Sequence, residues 1–349
     1  MKICFAVPDL SLGGYATVVH DILINWQLDT DELFLVCFFD TIDSRYKDLE
    51  NIANLKIIKL GKKRTVDFAF LKRLKKCIKS ISPDVISSHL SCTFYLKIAG
   101  ALNHSKIYHT IHAEPVKDLP RIYRVFLNRD IKKEKIKLIG CCQYISNKAE
   151  DLYKCSCITI TNGIDLSNIS HAEKKSDTVN FLFVGRFDPV KNVPLLVESF
   201  GSCNSANSRL TICGYGFDEK AIKKAIEESK RKKDIFLLGK TNAIDSIYEK
   251  SDVLCLISER EGMPMVVLEG LKHGLCFIAS NVGGVSTYVK DDINGIFVDV
   301  SIKESIIKAF DYFSDNPEAL KKFKKESRCI ASSVDAKIMA SEYRRVLRG

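Results

Sequence analysis

Short apolar runs alternate along almost the whole chain with segments whose apolar residues recur every three or four positions. The runs are typical of buried strands, and the periodic segments are typical of helices that cover a sheet. This alternation predicts parallel sheets joined by crossover helices, in two series separated by a polar stretch at 167–178. The predicted fold class is therefore α/β, with two doubly wound domains that face a central cleft.

The predicted elements set the domain boundaries. In the first series, strands are predicted at 2–7, 33–39, 55–59, 84–88, 106–111, 137–141 and 157–160, and helices at 15–26, 67–81 and 143–153. In the second series, strands are predicted at 179–184, 209–213, 235–238, 253–257, 277–279 and 295–298, and helices at 193–200, 219–230, 264–273 and 302–313. We expect a first domain at 1–165, a linker at 166–178, a second domain at 179–330, and a C-terminal helix at 331–349 that could pack back on the first domain.

Length and composition are those of a globular protein. The 349 residues are enough for two hydrophobic cores, and 46% of them are hydrophobic and 28% charged. No apolar run approaches the roughly 20 residues needed to cross a bilayer. The amino-terminal apolar stretch is too short for a signal peptide and ends in Pro8-Asp9 instead of a small-residue cleavage site. We expect a cytoplasmic location, with peripheral attachment at the inner membrane face left open.

The 13 cysteines are an odd number, and most lie in apolar stretches predicted as strands. A free thiol in such a place behaves as a small hydrophobe. The close pairs, Cys141 with Cys142 and Cys155 with Cys157, lack the spacing of a zinc knuckle. We therefore predict core thiols and no metal site.

The net charge of +10 is concentrated in the predicted first domain. Segment 61–81 contains eight bases and one acid, and segment 120–137 contains seven bases and two acids. Neither segment has a zinc or helix-turn-helix signature, so no nucleic-acid partner is predicted. In 66–81 the apolar residues recur at helical spacing and bases fill most of the other side. Two interpretations stay open: an anionic membrane surface as partner, or a helix packed on its own sheet with a solvated basic face.

Two loops that follow predicted strands carry candidate anion-binding residues. Gly13 and Gly14 follow the first strand, where backbone amides at a helix N-terminus favour an anion, although a tight turn needs the same glycines. Gly185, Arg186 and Lys191 follow the first strand of the second series. A guanidinium fork and an ammonium group suit a diphosphate whose charge must be neutralised as it leaves. Solvated cations are the alternative.

A third loop carries two carboxylates. Gly262 marks a turn after a strand, and Pro264 predicts the start of a helix. Glu261 precedes this helix, and Glu269 lies on it among apolar residues, where a glutamate needs a functional reason. Because a carboxylate accepts two hydroxyl hydrogen bonds, this pair suits the diols of a ribose or a hexose.

Together these motifs resemble the retaining, nucleotide-sugar-dependent glycosyltransferases of the GT-B fold, in the family four group. The resemblance lies in Asn162-Gly163-Ile164-Asp165, Gly185-Arg186 to Lys191, Gly214-Tyr215-Gly216, the pair of Glu261 and Glu269, and Gly283-Gly284 followed by Asn294-Gly295. It covers nearly all of the second domain. The first domain matches more loosely, through Gly13-Gly14 and His109-Thr110-Ile111-His112. Thr287 departs from the glutamate that this family usually has there.

The resemblance implies two Rossmann-like domains, with the acceptor in the first and the nucleotide sugar in the second. Arg186 and Lys191 would hold the donor diphosphate, and Glu269 would bind the ribose hydroxyls. Glu261 would hold the donor sugar, and His112 would lie against that sugar near the reacting carbon. The implied catalytic residues are His112, Arg186, Lys191 and Glu261, and the implied donor-binding residues are Gly13, Gly14, Gly185, Arg186, Lys191, Gly214, Glu261, Gly262, Met263, Pro264 and Glu269.

We therefore predict a retaining hexosyl- or N-acetylhexosaminyltransferase that needs no cofactor besides its nucleoside diphosphate sugar. The expected acceptor is a saccharide or a lipid-linked saccharide, in the assembly of a bacterial surface glycan. A nucleotide-sugar epimerase of the same architecture is the alternative, and it would need no second substrate. A binding protein that has lost catalysis is a third interpretation, and the retained cations and carboxylates count against it.

Overall fold

The structure is a computed structural model that describes residues 1–11, 13–26, 30–63, 67–167, 178–205, 207–241 and 243–349. Most of the predicted linker at 166–178, and Arg64 of the first basic segment, lie outside these ranges. The chain divides into two compact units, which are Met1–Asp165 with Asp335–Gly349, and Leu166–Val334.

The first unit is built on a parallel sheet. Within the described residues its seven strands are β1 (Lys2–Val7), β2 (Glu32–Cys37), β3 (Leu55–Lys59), β4 (Val85–His89), β5 (Lys106–Ile111), β6 (Ile136–Gly140) and β7 (Cys157–Thr159), in the order β3-β2-β1-β4-β5-β6-β7. Its helices there are α1 (Gly14–Ile24), α2 (Phe68–Ile81), α3 (Cys92–Ile98), α4 (Pro115–Asp118), α5 (Arg121–Lys132) and α6 (Gln143–Tyr153). Residues Ile3 to Val7 of the central β1 are fully buried, as expected of a parallel strand covered on both faces.

The second unit repeats this plan. In the part of it that is described, the strands are β8 (Val179–Phe187), β9 (Ser208–Gly216), β10 (Ile235–Gly239), β11 (Val253–Leu256), β12 (Cys276–Ala279) and β13 (Gly295–Phe297), in the order β10-β9-β8-β11-β12-β13. The helices are α7 (Val193–Ser202), α8 (Glu219–Glu228), α9 (Ile244–Glu249), α10 (Met265–Lys272), α11 (Lys303–Asp315) and α12 (Pro317–Ala331). Phe181, Phe200 and Phe310 meet edge to face in its core, with ring centroids 4.7–6.1 Å apart. Two parallel sheets with flanking helices confirm the predicted α/β class with two Rossmann-like domains.

β8 and β9 run several residues beyond their predicted ends. Gly185 pairs with Gly214, and Phe187 pairs with Gly216. A Cβ on Gly214, which has φ +152°, would lie 1.8 Å from the carbonyl oxygen of Gly185. The two strands therefore stay in register past their apolar segments only because a side chain is absent there.

The C-terminal helix α13 (Ala336–Arg348) packs against α1 in the first unit. The amide of Ala336 donates to the carbonyl of Ile164 at 2.9 Å, and Tyr343 lies fully buried with its hydroxyl 3.3 Å from Thr110 Oγ1. A Cβ on Gly163 would lie 2.8 Å from the carbonyl oxygen of Asp335. The Asn-Gly-Ile-Asp motif thus forms the place where the returning chain docks.

No helix in the described ranges is long and apolar enough to span a bilayer.

Candidate active site

Two cations lie near the carboxyl end of β8 in the second unit. Arg186 is exposed and lies within the strand, whereas the sequence placed it after the strand. Asp188 accepts a hydrogen bond from the amide of Val190 and caps a short 3-10 turn, Pro189–Lys191. The amide side chain of Asn192 then donates to the carbonyl of Ile257 at 3.2 Å. This bond ties the cation loop to the segment that follows β11.

Lys191 forms an ion pair with Glu261. Its Nζ lies 2.5 Å from Glu261 Oε1, and the two side chains are 19% and 8% exposed. The same carboxylate oxygen accepts a hydrogen bond from the hydroxyl of Ser258 at 2.6 Å. A carboxylate this buried needs such partners, because desolvation otherwise disfavours its charged form. Ser258 was not a predicted site residue, and its sequence signal is only its place three residues before Glu261.

The loop that carries Glu261 packs on a pair of glycines. The amide of Gly284 donates to the carbonyl of Gly262 at 2.6 Å. Gly283 has φ +60°, and a Cβ there would lie 2.1 Å from the carbonyl oxygen of Glu261. Met263 is buried, and Pro264 has extended backbone angles, so that α10 begins one residue later than predicted. Backbone contact with two glycines therefore fixes the carboxylate loop.

Glu269 lies in the second turn of α10 and accepts a hydrogen bond from a buried tyrosine. The hydroxyl of Tyr248 is 2.6 Å from Glu269 Oε2. The Tyr248 ring is stacked on the imidazole of His273, with centroids 5.3 Å apart and planes 2° from parallel. Burial, and then the neighbouring Glu269 charge, raises the pKa of Tyr248 well above its usual value. Tyr248 therefore stays a hydrogen-bond donor that orients Glu269, a role that the sequence did not reveal.

Gly13 and Gly14 lie at the start of α1, and the Tyr15 ring that follows them lies near His112. Gly14 is the first residue of α1, and a Cβ on Gly13 would meet only the Tyr15 ring, at 3.9 Å. The Tyr15 hydroxyl lies 2.8 Å from Asp9 Oδ1, and its ring centroid lies 6.2 Å from that of His112. A side chain on Gly13 would therefore meet the same Tyr15 ring that lies near His112.

His112 follows β5 and is bonded to a second histidine. His112 Nε2 lies 2.8 Å from Nδ1 of the fully buried His89, whose Nε2 lies 3.2 Å from Ser87 Oγ. Burial lowers the pKa of His112 to about 4, against a smaller raising effect of Asp118. Burial, then the two neighbouring histidines, lowers the pKa of His89 well below its usual range. Both rings are therefore neutral near neutral pH, and one donates to the lone pair of the other.

Asp118 fixes the loop that carries His112. One of its oxygens accepts a hydrogen bond from the His112 amide at 3.0 Å, and the other lies 2.9 Å from His109 Nε2. His109 Nδ1 lies 2.8 Å from Thr93 Oγ1. Of these, only His109 and His112 were noticed in the sequence. Asp118 and His89 belong to other segments than the His109–His112 motif, so no local sequence pattern indicates their contacts with it.

Among the residues that the structure describes, no group of three or more His, Cys, Asp or Glu side chains could hold a metal ion.

Comparison with known proteins gives a family match for the loops of the second unit. Residues 167–329 match the family model described as glycosyl transferases group 1. The UDP-Gal:alpha-D-GlcNAc-diphosphoundecaprenol alpha-1,3-galactosyltransferase of Escherichia coli is 28% identical over 72% of this chain and 71% of its own length. The GalNAc-alpha-(1->4)-GalNAc-alpha-(1->3)-diNAcBac-PP-undecaprenol alpha-1,4-N-acetyl-D-galactosaminyltransferase of Campylobacter jejuni is 24% identical over 85% of this chain and 84% of its own length.

The crystal structure of HepE from Anabaena in complex with UDP and glucose has the same fold. It superposes with a TM-score of 0.82 at 15% identity and covers 100% of this chain and 99% of its own. The family match and the relatives support sugar transfer, whereas nothing in them supports the epimerase alternative. The fold is therefore that of the GT-B glycosyltransferases, the second unit carries the group 1 family region, and together these matches support a glycosyltransferase.

Proposed function

We propose that this glycosyltransferase moves a hexose or an N-acetylhexosamine from a nucleoside diphosphate donor to a lipid-linked saccharide, with retention of the anomeric configuration. The observation that carries the proposal is the bonded set of Lys191, Glu261 and Ser258 at the strand ends of the family region. The names of the Escherichia coli and Campylobacter jejuni relatives give undecaprenol-linked acceptors. They support a lipid-linked acceptor, and surface glycan assembly as the process.

The donor diphosphate would be held by the two cations. Arg186 is exposed, and in the described residues no carboxylate pairs with its guanidinium, so it can offer two parallel hydrogen bonds to phosphate oxygens. Lys191 is already placed by Glu261, and a phosphate would add a second anionic partner to its ammonium group. We propose that these two side chains, and not a metal ion, neutralise the leaving diphosphate.

The two carboxylates would bind the hydroxyls of the donor. Oε1 of Glu261 is engaged by Lys191 and Ser258, so Oε2 is the oxygen proposed to accept from the sugar. Glu269 is oriented by Tyr248 and would accept from the ribose. His112 keeps its implied place beside the donor sugar as a prediction.

In the proposed reaction, the bond between C1 of the sugar and the diphosphate oxygen breaks, and the electron pair leaves with the diphosphate. The acceptor hydroxyl oxygen bonds to C1 on the same face, and its proton passes to the departing diphosphate. Charge therefore grows on the diphosphate, where Arg186 and Lys191 would stabilise it most in the transition state.

The test is an assay with UDP-galactose, UDP-glucose and their N-acetylated counterparts, each with and without a short polyprenyl-diphosphate-linked sugar. We expect transfer that requires the acceptor, and an NMR spectrum of the product that shows the anomeric configuration of the donor. Conversion of the donor sugar without acceptor would instead identify an epimerase. A product of inverted configuration would contradict the retaining mechanism.

A further inference from the structure

Helix α5 has apolar residues on two opposite faces. Leu127 and Ile131 are buried against the unit. Ile122, Val125 and Phe126 are 72%, 71% and 43% exposed, and their spacing of three and four residues puts them on one outward stripe. A surface helix needs only one apolar face to pack on its own sheet, so the outward stripe has another cause.

The short helix α4, just before α5 in the chain, adds another exposed apolar side chain. Val116 in α4 is 56% exposed. The ring of Phe126 contacts two residues of α3, with Lys97 Nζ 3.9 Å from its centroid and the Phe94 ring centroid 5.3 Å away. We call Val116, Ile122, Val125 and Phe126 the α5 patch. Contiguous exposed apolar side chains of this kind mark interaction surfaces, whereas single ones do not.

Bases are numerous along the chain that carries the α5 patch. The exposed bases of α4, α5 and the segment after α5 are Lys117, Arg121, Arg129, Lys132, Lys133, Lys135 and Lys137. Three acids lie between Lys117 and Lys137, and Asp118 among them is buried and bonded to His109 and His112. Asp130 is paired with Lys97 at 2.6 Å, which leaves the exposed Glu134 as the acid facing seven bases. The patch is therefore an apolar centre within a strongly positive rim.

Helix α2, the other basic segment, differs. Its apolar face, with Phe70, Leu74 and Ile78, is buried in the unit. Its outward face carries exposed lysines, and Phe68 at its first residue is the exposed large apolar side chain of this helix. Because α3 contacts both helices, α2 and α5 lie on the same face of the sheet. α2 can add charge to that face but offers no apolar stripe.

We propose that the α5 patch docks on an anionic lipid bilayer, with its apolar side chains inserted among the head groups and its bases against lipid phosphates. The positive rim favours an anionic surface, and the exposed apolar centre favours an interface that removes it from water. The inference rests on the proposed function, because a lipid-linked acceptor lies at such a surface. It places the anchor on α5, whereas the sequence drew attention to the basic segment 66–81.

The test is sedimentation of the full chain with vesicles of phosphatidylcholine alone or mixed with phosphatidylglycerol. We expect binding to the anionic vesicles that weakens as salt is added. The double variant Ile122→Ser/Val125→Ser should bind roughly 100-fold more weakly, about tenfold for each apolar side chain removed. The matched control, Ile293→Ser/Ile302→Ser, removes two exposed isoleucines of the second unit and should bind like the wild type.

A third variant separates the two helices. Lys72→Gln/Lys75→Gln/Lys76→Gln removes charge from α2 and should reduce only the salt-sensitive part of binding. Equal sedimentation of the α5 and control variants would overturn the proposal. So would equal binding of wild type to neutral and anionic vesicles, or self-association that the α5 variant abolishes without any change in vesicle binding.

The outcome is separable from that of the proposed function. With a water-soluble acceptor, the α5 variant should transfer sugar at the wild-type rate. If the wild type bound anionic vesicles through α5 but transferred no sugar to any lipid-linked acceptor, docking would stand and the proposed function would fall. If the wild type transferred sugar to such an acceptor and the α5 variant bound vesicles as well as the wild type, the proposed function would stand and docking through α5 would fall.

Discussion

Two polar clusters, one in each unit, lie at carboxyl ends of parallel strands but handle charge in opposite ways. In the second unit, Lys191 and Glu261 are both partly accessible and compensate each other across 2.5 Å. In the first unit, His89 and His112 share a hydrogen bond of 2.8 Å, and burial keeps both from taking up a proton near neutral pH. The cluster of Lys191 and Glu261 is charged and can accept a further charged partner, whereas the cluster of His89 and His112 stays neutral.

The difference follows from what each cluster would have to contact. A diphosphate demands fixed positive charge, and an ammonium group that is already positioned loses little entropy when a phosphate arrives. A sugar hydroxyl needs a donor or an acceptor in a fixed direction, which a neutral imidazole held by a second one can supply. Three experiments test this difference between the two clusters.

The largest effect is expected at Lys191. Lys191→Met removes the cation proposed to neutralise the leaving group, so kcat should fall by roughly 100-fold or more. The variant also leaves Glu261 buried without its counter-ion, so its thermal unfolding is measured alongside turnover. Lys223→Met is the matched control, because Lys223 forms an exposed pair with Glu219 in α8 of the same unit and should keep full activity. Normal kcat in folded Lys191→Met would remove the cation from the chemistry.

The next effect concerns the neutral histidines and stability. The pKa of His112 is about 4 when folded and near 6.5 when exposed, so between these values the unfolded chain binds more protons. The free energy of unfolding should therefore fall as pH is lowered through this window, by roughly 3 kcal/mol for His112 alone. Urea unfolding near neutral pH and at a pH just above 4 measures the loss. His112→Asn should show a smaller loss than the wild type, and identical losses would mean that His112 is not held neutral.

The smallest effect is expected at Tyr248. Tyr248→Phe removes one hydrogen bond to the Glu269 carboxylate without changing the stacked ring, and should weaken UDP binding about tenfold. Calorimetric titration with UDP gives the dissociation constant. Tyr312→Phe in α11 is the control, because Tyr312 is 39% exposed. Unchanged UDP affinity in Tyr248→Phe would show that Glu269 does not depend on this bond.

The sequence was informative wherever function depends on neighbours along the chain. Short apolar runs located the strands of both sheets, because a parallel strand that is buried on both faces requires a continuous apolar run. The spacing of Arg186 and Lys191, and of Glu261 and Glu269, also singled out loops of the second unit. Each pair lies close together along the chain, in one loop or at one strand-helix junction.

Contacts between segments that are distant in sequence became visible only in the tertiary structure. His89 on β4, Tyr248 on α9 and the pair Gly283-Gly284 contact residues that lie 21 to 23 positions away, and nothing in their own sequence neighbourhood requires it. The same holds for α5, which has apolar residues on two faces and therefore lacks a clear helical period of apolar positions. Its outward stripe is recognised only because Leu127 and Ile131 are buried in the structure. Sequence periodicity records that a residue is apolar, but only packing decides whether that residue faces the core or the solvent.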